Sequence, residues 1–385
     1  MKGYSVKAVE IKAWIVSHGI RISNCALNAF GLPYLEKRRA YGIQDPERFL
    51  HISIPQELFL LPDKLVCSVN IKDDSPWLLD YDPADGYFVS NGTDQCPVTF
   101  PLRPLYYSSE KEVGGRKLNQ YFTLYGGSAL GAFLSRSCVF HDASGCHYCS
   151  LDKNTENADN YAQLIKPIEL HAALEEILKE DYPFGSVMLN GGIVGNLDDS
   201  FRFYIKQAES ALDAIEKSGR SIPVHLITAP PRNLELLDLL KGLNIKIAMD
   251  SEVANDSLYR KFCPGKSRAV PKDHLFAALK RCVDILGKGN VCSVFVGGLE
   301  PVPSLSAGMR RLAEIGVAPV INVLHIDPGT KITSDLMPSV EAVLAMGSAL
   351  QELYLEYGLE PFYQNCGRNS LDDEASLGLF TPQQA

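Results

Sequence analysis

SRSCVFHDASGCHYCSL, residues 135–151, sets Cys138, Cys146 and Cys149 in a C-x7-C-x2-C spacing. The loop follows an apolar run, Leu130–Leu134, which reads as a strand. Polar and turn-forming residues (Asp142, Ser144, Gly145) make it a poor core element, so three buried packing cysteines are the weaker reading. Thiolates gathered on one loop select zinc or an iron–sulfur cluster. Zinc would call on His141 as a fourth ligand, because structural zinc sites close with four protein donors. A [4Fe–4S] cluster held by three cysteines instead leaves one iron open to a small chelating molecule. Tyr148, just before the last cysteine, could shield such a cluster from solvent.

Outward from this loop the texture is regular. Apolar runs at Leu130–Leu134, Ser186–Leu189, Val224–Thr228, Ile245–Met249, Val291–Val296 and Pro319–Leu324 read as strands. Helical patterns lie between them at Glu169–Glu180, Ser200–Lys217, Asn233–Lys241, Asp256–Phe262 with Lys272–Gly287, and Leu305–Ile315. A last amphipathic helix is expected at Val340–Tyr357. Strand–helix alternation means parallel pairing with helical crossovers, so the fold class is α/β, a barrel or partial barrel. Ligand-binding loops then sit at the C-terminal ends of the strands, where the cysteine loop falls.

Residues 1–120 read differently. A helix at about 6–18 precedes short apolar runs, FLHISIP, LVCSVNI, DGYFVS and CPVTFPL, which suggest a small α+β or β-rich module. Ser108–Asn119 is polar and reads as a linker or exposed loop. Charge marks the same boundary. The 385 residues hold 37 Lys+Arg and 46 Asp+Glu, a net −9, and residues 1–120 carry 14 of each sign. The expected division is therefore 1–120 as an accessory module, 121–335 as the barrel and 336–385 as a closing helix and tail.

Composition excludes several classes. With 46% hydrophobic and 22% charged residues the chain is neither disordered nor fibrous. Net negative charge argues against nucleic-acid binding. No apolar run is long enough to span a bilayer, and the N-terminus lacks a signal-peptide pattern, so a cytoplasmic location with no membrane partner is expected. In a reducing compartment the ten cysteines are not expected to form a disulfide framework.

The cysteine loop resembles that of the radical S-adenosylmethionine (radical SAM) superfamily, in which C-x3-C-x-aromatic-C follows the first strand of a partial (β/α)6 barrel. Cys146-His147-Tyr148-Cys149 keeps the final part; the first gap is seven residues rather than three. Asn190-Gly191-Gly192, after the second strand, looks like the family's G-G-E segment without its acid. Glu252, with Asp250 as the alternative, looks like the ribose-contacting carboxylate after the fourth strand. Arg268, with Arg260 competing, is the implied partner of the methionine carboxylate. Ser293-x-Phe295-x-Gly297-x-x-Glu300 is similar to G-x-I-x-G-x-x-E, with Gly297 laid against adenine. Asn322 and Asp327 are expected to face the pocket after the sixth strand, and His325 beside them could bind substrate. WIVSHGIRI, the segment from EVAND to CPGKSR, and CGRNSLDDE are loosely similar to radical SAM proteins encoded beside nitrilases.

The resemblance implies a [4Fe–4S] cluster on Cys138, Cys146 and Cys149, S-adenosylmethionine (SAM) as cofactor, and an external one-electron donor such as flavodoxin or ferredoxin. The resulting 5′-deoxyadenosyl radical would abstract hydrogen from a small-molecule substrate. Modification of a peptide, and a non-catalytic zinc- or cluster-binding scaffold, are the competing readings. Cys366 is a candidate hydrogen-atom donor or metal ligand near the barrel mouth, against a packing cysteine. Cys263, Cys282 and Cys292 lie in apolar patterns and read as core.

Overall fold

The computed structural model describes residues 7–38, 53–141, 144–151, 163–327 and 329–380. The chain opens with α1 (Ala8–His18), β1 (Arg21–Ile22) and α2 (Asn24–Ala29), the last capped by Ser23, whose hydroxyl accepts from Ala26 N–H. Then come β2 (Lys37–Arg38), β3 (Ser53–Ile54), β4 (Glu57–Leu60), β5 (Leu65–Ser68), β6 (Leu78–Asp82), β7 (Gly86–Ser90) and β8 (Gln95–Thr99). Six of these form one sheet in the order β1-β6-β7-β8-β4-β5, antiparallel except for β1 against β6. β4 and β6 were not among the expected strands, because Glu57 and two aspartates break their apolar alternation. Glu57 is nonetheless fully buried, its charge met by Lys37 at 3.1 Å.

Ser108–Asn119 is not a loose linker. It folds into the hairpin β9 (Glu112–Val113) and β10 (Arg116–Lys117). Gly114 and Gly115 form its turn at φ 56° and 77°, the left-handed geometry a two-residue hairpin demands.

β11 (Thr123–Tyr125) pairs antiparallel with β12 (Ala129–Phe133), and from β12 onward every pairing is parallel. The order along the chain is α3 (Pro167–Ile177), β13 (Ser186–Asn190), α4 (Leu197–Ser218), β14 (Val224–Ile227) and a 3-10 segment (Leu234–Leu240). There follow β15 (Ile245–Ala248), α5 (Asp256–Phe262), α6 (Pro264–Ala269), α7 (Lys272–Leu286), β16 (Val291–Gly297), α8 (Val302–Glu314) and β17 (Ala318–Val323). The seven strands run in sequence order, β11 to β17, and make the partial (β/α)6 barrel with one antiparallel edge strand added. Asn196 accepts from the N–H groups of Asp198 and Asp199 to start α4, and Gly219 ends it in the left-handed region. The third crossover is a 3-10 segment rather than an α-helix, set between Pro231 and Gly242.

α9 (Val340–Tyr357) packs on α8 and β17, and α10 (Asp372–Ser376) closes the end. The main apolar core runs from Ile11 and Ile15 of α1 through Phe122 and Leu134 to Leu350 and Phe362. The Lys12–Glu374 ion pair, 2.5 Å long and buried on both sides, ties α1 to α10. No helix among the described residues is long and apolar enough to cross a membrane.

Candidate active site

A cavity of about 1210 Å³ opens at the C-terminal ends of the parallel strands. One wall is the cysteine loop. The turns after β13, β15 and β17 form another, and the N-terminal module with its β9–β10 hairpin completes it. Cys138, Cys146 and Cys149 all border this cavity and are all half-buried. Backbone turns fold the loop: His141 N–H donates to Cys138 O (2.9 Å) and Cys149 N–H to Cys146 O (3.1 Å). Asp142 and Ala143 lie outside the described residues.

The turn after β13 grips that loop. Gly192 N–H donates to Ser135 O (2.9 Å), and Val139 N–H donates to Ile193 O (3.1 Å). A Cβ on Gly192 would stand 2.9 Å from Cys138 Cβ, and one on Gly191, at φ 148°, would stand 2.7 Å from Ser135 N. The close approach expected of these glycines is thus made to the cysteine loop, while both still border the cavity. Asn190 does not line it; its Oδ1 is buried without a partner beside the turn.

Cys138, Cys146 and Cys149 are the thiols that could hold a three-ligand cluster. They share one cavity wall, and His141 does not line it. Among the described residues no three His, Cys, Asp or Glu side chains gather as a single-ion site. Burial pushes the Cys149 thiol up to about 12, so a bound metal would have to favour its thiolate form. Cys263, expected as plain core, is buried beside this wall: its Sγ lies 3.8 Å from Tyr148 Oη, and its hydrogen bond to Cys146 lowers the Cys146 thiol pKa from its ordinary value. Tyr148 borders the cavity, and its phenol is kept neutral by burial and by Cys146.

The turn after β15 carries the charged part of the site. Glu252 adopts φ 62°, held there because its N–H donates to Val294 O (2.9 Å) and its O accepts from Val296 N–H (2.8 Å). Its carboxylate meets Lys266 Nζ at 2.5 Å, and Lys266 also donates to Asp250 O at 2.9 Å. Burial alone would lower the Lys266 pKa; Glu252, Tyr259 and Asp250 outweigh it and raise it well above the ordinary value. Asp250 faces the cavity with Oδ1 unpartnered, and burial followed by the charge of Glu252 raises its pKa to about 7. Asp250, Glu252 and Lys266 all border the cavity, as does Asn322, which bridges to Ser370. His325 lines it too, 3.0 Å from Asn369 Nδ2.

Six further expected residues lie elsewhere. Arg268 is exposed on α6 and donates to Ser144 Oγ at 2.8 Å, because the helix points it outward; Arg260 is exposed as well. Lys266, two residues earlier, takes the inward position, and its buried ammonium was missed because a lysine in a polar segment reads as surface. Gly297 faces α9, where a Cβ would stand 2.8 Å from Met346 Sδ. Glu300 is a buried cap that accepts from Ala254 N–H (2.5 Å), Asn255 N–H (3.1 Å) and Ser304 Oγ (2.6 Å). Asp327 is turned from the cavity to accept from Ser150 Oγ at 3.0 Å. Cys366 packs with Ala129 and Met188, behind Tyr125 and Tyr363, and does not line the cavity. Burial there holds it a neutral thiol.

No protein-family model matches the chain. A stretch of 131 residues, 33% of the chain, is 28% identical to a bacteriochlorophyllide c C-7(1)-hydroxylase of Chlorobaculum limnaeum. The match spans about a third of that curated relative's length, 32%. Among solved structures the chain is similar to the FeFe-hydrogenase maturase HydG from Carboxydothermus hydrogenoformans. The TM-score is 0.44 at 17% identity, over 60% of this chain and 52% of that one. It is also similar to a radical SAM methyltransferase from Sphaerobacter thermophilus, with a TM-score of 0.42 at 15% identity over 78% of each chain.

Proposed function

We propose that the chain is a radical SAM enzyme that acts on a small molecule. The observation that carries this reading is the placement of Cys138, Cys146 and Cys149 on one wall of the large cavity at the C-terminal ends of the parallel strands. Those cysteines would hold a [4Fe–4S] cluster. When bound, the reduced cluster and SAM supply a 5′-deoxyadenosyl radical for hydrogen abstraction. The chain's part is to bind, orient and keep water out.

Asp250 and Glu252 offer carboxylate oxygens where hydroxyl and ammonium groups need acceptors, and Lys266 offers a cation for a carboxylate. Val294, Val296 and Leu324 give the cavity an apolar strip for a flat ring. Gly191 and Gly192 hold the cysteine loop against the β13 turn. The N-terminal module, with the β9–β10 hairpin, roofs the site, and the space between it and the strand ends takes the substrate. A one-electron donor outside the chain completes the reaction.

The test is anaerobic reconstitution followed by iron and sulfide analysis and assay of 5′-deoxyadenosine formed from SAM. About four iron and four sulfide per chain are expected for this cluster type, with SAM cleavage that is lost in Cys146→Ala. One zinc per chain, or unchanged cleavage in that variant, would overturn the reading.

A further inference from the structure

Glu252 presents its carboxylate to the cavity from a strained point of the chain. Val253 N–H donates to Ser251 O at 2.7 Å, which closes a three-residue turn around Glu252 at φ 62°. A γ-turn of this hand is rare and strained for a residue with a side chain. The carbonyls on either side of Glu252 converge on one ammonium group. Lys272 Nζ donates to Ser251 O at 2.7 Å and to Val253 O. Lys272 is the first residue of α7, and its side chain is itself fixed, with the ammonium 4.1 Å from the centre of the Tyr259 ring. That ring is buried, and its hydroxyl donates to Val270 O at 3.1 Å. Lys272 does not line the cavity.

Other groups hold the backbone before and after this turn. Ser293, which stands where the family pattern has glycine, accepts from Ser251 N–H at 3.0 Å and donates to Met249 O at 2.8 Å. Lys266 holds Asp250 O and the Glu252 carboxylate, and Glu300 caps Ala254 and Asn255. The side chain that bonds the backbone on both sides of Glu252 is that of Lys272. A strained conformation persists only while its surroundings over-determine it. Without the ammonium, Ser251 O and Val253 O lose a shared donor, the turn relaxes, and the Glu252 carboxylate leaves its place in the cavity wall. Resting on the radical SAM reading, we propose that Lys272 is a positioning residue for SAM. It does not touch the ligand, but it holds Glu252 in the conformation that offers a carboxylate to the ligand's hydroxyl or ammonium groups.

The test is a double-mutant cycle with SAM as the probe. Its dissociation constant is measured by calorimetry on anaerobically reconstituted wild-type chain, Lys272→Met, Glu252→Gln and the double variant. Iron content and far-ultraviolet dichroism are recorded for each. Methionine keeps an apolar stem beside Tyr259 and removes both hydrogen bonds. Lys272→Met is expected to weaken SAM binding about tenfold in the wild-type background and less than about twofold in Glu252→Gln, because a residue that acts through Glu252 has nothing to act on once that carboxylate is gone. Iron content and dichroism stay as in wild type. Lys272→Arg, whose guanidinium keeps several donors, is expected to bind SAM within about threefold of wild type. Unchanged SAM binding in Lys272→Met, or an equal loss in the two backgrounds, would sink the positioning role while leaving the radical SAM reading intact. So would loss of soluble protein in both Lys272→Met and Lys272→Arg, which would make the lysine a general support of the fold. A wild-type chain that carries no iron–sulfur cluster removes both readings.

Discussion

Asp250 shows how burial, reinforced by a neighbouring charge, can turn an ordinary aspartate into a sensitive group. Its carboxyl faces the cavity with one oxygen unpartnered, beside the Glu252–Lys266 pair. Its pKa rises from the ordinary 3.8 to about 7, by burial first and then by the charge of Glu252. The folded chain therefore binds more protons here than the unfolded chain between those two values. The stability this group contributes is present below about pH 4 and is lost as pH rises toward 7, at a slope of up to about 1.4 kcal/mol per pH unit. Asp250→Asn is expected to flatten that part of the stability–pH profile and to be the more stable protein at pH 8. Urea unfolding at several pH values checks this; a mutant with the same slope as wild type would refute it. The residue scale is also where sequence reading stopped short. Glu252 and Asp250 were legible as acids after a strand, but the choice of Lys266 over Arg268 depends on which side of a six-residue helix faces in.

At the scale of elements, the cysteine loop and the β13 turn behave as one unit. Gly192 lies against Ser137 and Cys138 with no room for a Cβ. Gly192→Ala must displace the loop and with it Cys138, while the helices and strands are untouched. The expected outcome is a folded protein with an unchanged far-ultraviolet dichroism spectrum that retains less than about half the iron of wild type, since ligand geometry depends on its supporting shell. Full iron content would show that the loop adjusts freely. Element boundaries were the most legible part of the chain: the six parallel strands fall within about two residues of their expected ends, because each is buried on both faces and reads as a continuous apolar run. β4, β6 and β11 were missed because they are short, carry polar residues, or lie at a sheet edge.

For the whole molecule the notable feature is that the two ends of the chain are joined inside the core. Lys12 on α1 donates to Glu374 on α10 and to the carbonyls of Gly367 (3.2 Å) and Ser370 (2.8 Å). The C-terminal segment so held bridges Ser370 to Asn322 and places Tyr363 in the cavity wall. Lys12→Met leaves Glu374 buried without a counter-charge and is expected to cost about 3–5 kcal/mol in urea unfolding. The paired change Lys12→Met/Glu374→Leu is expected to restore most of that loss. If it restores none, the pair is not what secures the end.

The sequence by itself determined the α/β partial barrel, the order of its strands and the identity of the cysteine loop. Those features are written in local patterns: apolar runs, helical periodicity and a fixed ligand spacing. Only the tertiary structure decided which side chains share the cavity. It kept the three cysteines, Tyr148, Asp250, Glu252 and Asn322 there, brought in Lys266, and turned Arg268, Gly297, Glu300 and Cys366 elsewhere. It also made Ser108–Asn119 a wall of the site rather than a connector. The physical reason is that facing depends on the rotation of a short helix or a strand end against its neighbours, and neighbours distant in sequence leave no local mark.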